Sequence, residues 1–134
     1  MKGWHIVLLL VFLLVASTAS LGAPQSSAPV PKYDTATEGT FAGTIVSISD
    51  RVCPVSGGMG FHFVLKLSNG PTIEIHVAAS KFVKTYDIAL NPGDRVEVVG
   101  SKVRFEGVET IFARSITRGN ETFIFRDKDG KPVW

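Results

Sequence analysis

The stretch ASKFVKTYDIALNPGDRVEVVGS, residues 79–101, changes its apolar period halfway. In its first half Phe82 and Tyr86 lie four apart with Val83 beside them, which is the spacing of a short amphipathic helix over 79–90. Ser80 stands where an N-terminal cap belongs. Asn91-Pro92-Gly93-Asp94 is a turn. From Arg95 the period falls to two, so Val96 and Val98 share one face of a strand that runs to Phe105 and bends at Gly100. A lone helix that hands the chain by a tight turn to a long strand fits a closed barrel better than an open sandwich.

The flanking sequence supplies the other strands. TFAGTIVSIS (40–49) is a strand in which Gly43 marks a bend or bulge. DRVCPVSGGMG (50–60), broken by Pro54 and Gly57-Gly58, reads as a loop. FHFVLKL (61–67) puts Phe61, Phe63, Leu65 and Leu67 on one face, with His62, Val64 and Lys66 on the other. TIEIHV (72–77) sets Ile73, Ile75 and Val77 against Glu74 and His76. Beyond residue 105, EGV turns the chain into ETIFARSIT (109–117), and RGN turns it again into ETFIFRD. DKDG (127–130) makes a last tight turn, from which Trp134 reaches back to pin the tail against the barrel. Three strands, a short helix and two longer strands form the order of a mainly β, OB-fold-like five-stranded Greek-key barrel, with the helix between strands 3 and 4.

The start of the chain reads as a targeting segment. Lys2 precedes the apolar run Ile6–Ala16, and the small residues STASLGA follow. This is the pattern of a signal peptide over 1–22, too short in its apolar core for a stable membrane anchor. Residues 23–39, rich in Pro, Ser, Ala and Thr, read as a flexible linker, leaving 40–134 as the folded domain. The protein is therefore expected to be exported, to the periplasm or beyond, and to be monomeric. Without Lys2, thirteen basic residues face twelve acidic ones, so the domain lacks the basic excess of a strong nucleic-acid binder. The single cysteine, Cys53, has no partner for an internal disulfide and reads as a partly buried thiol, with an intermolecular disulfide or a metal ligand as the alternatives.

The pieces Gly60-x-His62, Glu74-Ile75-His76-Val77, Pro92-Gly93-Asp94, Val98-Val99-Gly100-Ser101 and Arg126-Asp127-x-x-Gly130-x-Pro132-x-Trp134 carry a resemblance to small exported bacterial OB-fold proteins. The resemblance extends over residues 40–134 and implies a fold and an exported location. It implies no reaction.

His62 and His76 flank the turn Ser68-Asn69-Gly70-Pro71. A three-residue loop at 68–70 places them directly opposite on the face away from the core, and a two-residue slip leaves them diagonal. Strands 2 and 3 of an OB-fold form its ligand platform. His62, His76, Lys66 and Glu74 are thus the candidate ligand-binding residues, expected to be exposed or partly packed. His62 and His76 are also candidate ligands for Zn or Cu, for which Glu74, Cys53 or a partner's group would complete the set. The sequence contains no HExxH, CxxC, Walker loop or G-x-S-x-G elbow, and Cys53 with His62 lacks an orienting third group. No catalytic residue is assigned and no enzyme activity is expected. Arg95, Lys102, Arg104, Arg114, Arg118 and Arg126, interleaved with Phe112, Phe123 and Phe125, resemble a single-strand-binding surface, but Glu97, Glu106, Glu109 and Glu121 are interspersed. The expected function is a non-enzymatic binding module for an unidentified ligand or protein partner. The alternatives are a periplasmic His-pair metal-binding protein and an oligonucleotide or polyanion binder.

Overall fold

The computed structural model describes Gly22 and residues 29–134. The expected signal peptide, save Gly22, and the first part of the expected linker lie outside the described residues. Six strands and one helix follow in the order β1 (Glu38–Cys53), β2 (Gly58–Leu67), β3 (Thr72–Ala79), α1 (Ser80–Thr85), β4 (Arg95–Phe105), β5 (Val108–Arg118) and β6 (Glu121–Ile124). The sheet order is β3-β2-β1-β4-β5-β6, and an added pairing of β3 with β5 closes the first five strands into a barrel. That closing contact is parallel, and the other pairings are antiparallel. This is the OB-fold-like arrangement the strand and helix order implies.

The alternating apolar positions fill the interior. Ile45, Phe63, Leu65, Ile75, Val77, Val98, Ile111, Ala113 and Ile116 are buried together, and Val83 and Leu90 plug the barrel from the helical segment. Phe82 and Trp134 pack against the same core. The β2–β3 turn takes the three-residue register, with Leu67 N–H donating to Pro71 O at 2.8 Å and Gly70 N–H to Leu67 O at 3.0 Å. His62 therefore pairs directly with His76.

Three expectations are corrected. Residues 50–60 are not a loop: β1 continues to Cys53 and β2 begins at Gly58, with Cys53 opposite Gly58 across a turn where Gly57 takes φ 70°. A positive φ suits glycine, so the Gly57-Gly58 pair serves a tight hairpin and not an open loop. The helix is shorter than 79–90, ending at Thr85, and Asp87 then adopts φ 49°. Ser80 does not cap it; its hydroxyl donates to Asp50 Oδ1. Finally, the described part of the expected linker is not free. Asp34 N–H donates to Ser101 Oγ at 3.1 Å, a 3-10 turn spans Thr35–Thr37, and Tyr33 packs over Gly130.

Two glycines let strands turn the barrel's corners. A Cβ on Gly43 would stand 2.1 Å from Lys66 O, and one on Gly100 would stand 2.4 Å from Phe112 O. Both obstacles are backbone atoms, which cannot move aside as a side-chain tip can. Gly43→Ala is expected to cost about 2–4 kcal/mol in urea unfolding, whereas Gly58→Ala, with open space around it, should stay within about 0.5 kcal/mol of the parent. Equal effects at the two sites would contradict the close approach at Gly43.

Candidate metal centre

β2 and β3 bring their histidines face to face outside the main core. The rings of His62 and His76 lie edge to face with centroids 4.2 Å apart. They are not exposed, as the alternation alone suggests: His62 is 1% and His76 6% accessible. The reason is a second apolar layer. The extended β1 delivers Cys53, itself 2% accessible, to the histidines. Phe105 and Phe112 from the β4–β5 hairpin cover His76, with ring centroids 5.5 and 5.4 Å away. The closing ladder, which pairs His76 with Phe112, sets that contact.

One ligand atom each from Cys53, His62 and His76 lie within 4.8 Å of one another. Cys53 Sγ is 3.5 Å and His62 Nε2 is 3.2 Å from the same atom, His76 Nδ1. On its other side, His76 Nε2 stands 3.2 Å from Glu74 Oε1, and Glu74 also pairs with Arg51. A carboxylate accepts, so this contact, although it is not a directed hydrogen bond, favours the His76 tautomer with its proton on Nε2 and a lone pair on Nδ1.

That lone pair faces two donors, the Cys53 thiol and His62 Nε2–H, and satisfies only one. With its proton on Nε2, His62 has a bare Nδ1 that is buried and lacks a hydrogen-bond partner among the described residues. With its proton on Nδ1, the two ring lone pairs point at each other. The carbonyls of Gly60 and Ser49 lie close enough to favour the charged ring slightly, but neither makes a well-directed bond to Nδ1. No arrangement of protons satisfies every polar atom of this cluster.

Burial holds both rings neutral. His62 is pushed down to about 4 by desolvation first and by Arg51 second. His76 is pushed down to about 3 by desolvation, then by His62, then by Arg51. Neutral imidazoles keep their lone pairs for a ligand well into the acid range.

Of the candidate residues, His62, His76 and Glu74 come together here, and Cys53 joins them. Lys66 does not. It lies at the far end of β2 in a separate cleft of about 580 Å³, with Arg95 and Glu97. Sequence reasoning missed Arg51, the partner of Glu74, and the covering rings Phe105 and Phe112. It also missed the steric role of Gly60, where a Cβ would meet Ser56 Oγ at 2.5 Å and His62 Cε1 at 2.8 Å. The Gly60-x-His62 pair was the available signal.

Three of the six later-strand cations are committed elsewhere. Arg114 is bidentate on Glu38 at 2.8 and 2.9 Å. Arg118 bridges Asp94 and Glu121, and Lys102 approaches Glu109.

An OB-fold-like barrel with a Cys-His-His cluster beneath its outer layer is thus the class of protein that fold and site define. The chain belongs to the MamS/MamX magnetosome protein family, whose model it matches over residues 37–123. The family is bacterial. Comparison with curated proteins finds no match. No helix among the described residues is long and apolar enough to cross a membrane.

Two outcomes follow for the metal-free chain. Above about pH 6.5 the imidazoles are neutral in both folded and unfolded chains. Between about 6.5 and 4 the unfolded chain takes up protons that the folded chain refuses, so stability falls as pH falls, by up to a few kcal/mol. Replacing both histidines with Gln should flatten this slope between pH 6.5 and 4.5 in chemical denaturation. Gly60→Ala should lower stability by about 1–3 kcal/mol by crowding His62, and NMR should show the His62 ring displaced.

Proposed function

We propose that the protein is an exported, non-enzymatic module that binds a borderline or soft transition-metal ion, Zn²⁺ or Cu⁺, through Cys53 Sγ, His62 Nε2 and His76 Nδ1. The observation that carries this reading is the unresolved proton arrangement of the cluster. A cation among the three atoms takes the Cys53 sulfur and both facing ring lone pairs, and leaves only His62 Nδ1 without a directed partner. The Cys53 proton leaves to solvent to give a thiolate, and the His62 proton sits on Nδ1. Both ring lone pairs then face the ion.

The donor set supports the choice of metal. One thiolate and two imidazoles suit Zn and Cu better than hard ions, which take oxygen ligands. Glu74 acts behind His76 as the carboxylate that orients a metal-bound histidine, and Arg51 holds Glu74. Export is supported by the basic, apolar and small-residue pattern of residues 1–22. The absence of activity is supported by closure of the site: among the described residues, Cys53 and the two rings are buried, which shields the thiol from solvent. Arg114 and Arg118, committed to Glu38, Asp94 and Glu121, are not free for an extended polyanion-binding surface.

Titration of the full chain with Zn²⁺, and with Cu⁺ under reducing anaerobic conditions, tests the reading. One equivalent is expected to bind with submicromolar affinity and to move the NMR signals of His62 and His76. Cys53→Ser and His76→Gln should each weaken binding by at least about 100-fold, and Glu74→Gln by about 10–100-fold. Unchanged affinity in Cys53→Ser would end the proposal.

A further inference from the structure

A second buried polar centre lies on the far side of Phe112. Arg126 is 5% accessible. Its guanidinium carbon sits 4.8 Å from the Trp134 ring centroid, 5.4 Å from that of Tyr33 and 5.7 Å from that of Phe112. Nη1 donates to Gly130 O at 2.9 Å, while Nε is buried without a hydrogen-bond partner. Among the described residues, no carboxylate lies within ion-pairing distance of it.

An unpaired buried cation is costly, because desolvation is repaid by a counter-charge and by hydrogen bonds to its N–H groups. Aromatic faces return part of that cost. They leave the rim of the guanidinium, where the donors point, without acceptors beyond Gly130 O. Burial accordingly pushes the Arg126 pKa down, and nothing but a Coulombic contribution from Tyr33 opposes it.

The surrounding charge has one dominant sign. Arg126 lines a cleft of about 320 Å³ with Lys32, Lys131, Tyr33 and Asp129. Both lysines are exposed and have no carboxylate partner among the described residues. Asp129 is paired with Lys128. Asp127, in the same turn, is occupied as acceptor for the N–H groups of Asp129 and Lys131. The Tyr33 hydroxyl donates to Glu38 Oε2 and Glu38 is held by Arg114. The cleft thus presents three cations, Lys32, Arg126 and Lys131, and one carboxylate, Asp129, which is paired with Lys128.

We propose that this cleft binds a small multivalent oxyanion, whose oxygens meet the guanidinium rim of Arg126 between Lys32 and Lys131. Arginine's planar fork suits a phosphate or carboxylate group, and the flanking ammonium groups add charge without fixed geometry. The site is separate from the Cys53–His62–His76 cluster and does not depend on a metal there. The two share a wall, since Phe112 touches both Arg126 and His76.

The test is an NMR titration of the full chain with inorganic phosphate and, separately, with succinate. Ionic strength is held constant with chloride. Saturable binding below about 1 mM is expected for at least one anion, with shifts at Lys32, Gly130, Lys131 and the Trp134 indole. The arm that saturates identifies the class, phosphate or dicarboxylate. The surface variant K32Q/K131Q should weaken binding about tenfold with the fold intact, and R126K, which keeps the charge but loses the fork, should weaken it further. If neither anion saturates, or if K32Q/K131Q binds as tightly as the parent, the proposal is overturned. Should R126K fail to fold, the double lysine variant decides alone.

Discussion

The parallel contact between β3 and β5 holds the molecule together as a barrel. It spans only Glu74–Thr110, Ile75–Ile111 and His76–Phe112, yet it removes the edges that β3 and β5 would otherwise expose. Its middle rung joins two fully buried isoleucines of the interior. The rungs on either side carry Glu74 and His76 on the opposite face. The same short ladder therefore closes the core inwardly and builds the polar cluster outwardly. Strand closure and site assembly are one event in this fold.

Much of the architecture could be read from residue patterns. The β4 limits, Arg95 and Phe105, follow from the switch in period after Asp94. The pairing of His62 with His76 follows from the three residues between Leu67 and Pro71. What alternation could not show was a second apolar layer. Period two says that His62 and His76 face away from Phe63 and Ile75, but it does not say what covers them. That depends on β1 running on to Cys53 and on Phe105 and Phe112 arriving from strands more than twenty residues away. The glycines and Pro54 around Cys53 suggested a loop. Local composition there reflects one tight turn and a crowded contact at Gly60, and the hairpin pairing overrides the rest.

The two polar centres outside the barrel differ in how they are balanced. At Cys53, His62 and His76 two donors face one lone pair. At Arg126 there is a fixed charge with donors to spare. Phe112 separates them and contacts both. The tail is tied to the barrel beside it: the Arg126–Pro132 bridge and the bond from Val133 N–H to Phe125 O bring Trp134 back over the guanidinium. Tyr33 arrives from the opposite end of the domain to complete the aromatic wall. Segments that compositional reading treats as peripheral thus converge on one side of the sheet.

Cys53 and His76 are 23 residues apart in the chain and meet across two successive hairpins. This protein has no disulfide to restrict its unfolded ensemble, since it has one cysteine. A metal ion held between these residues would tie off that loop as a covalent cross-link does, and closing a loop of this length is worth about 3 kcal/mol in chain entropy. Unlike a disulfide, such a tie is made and undone by ion exchange, without electrons. Mechanical integrity of the β1–β2–β3 sheet would then follow metal supply for as long as the Cys53 thiol stays reduced.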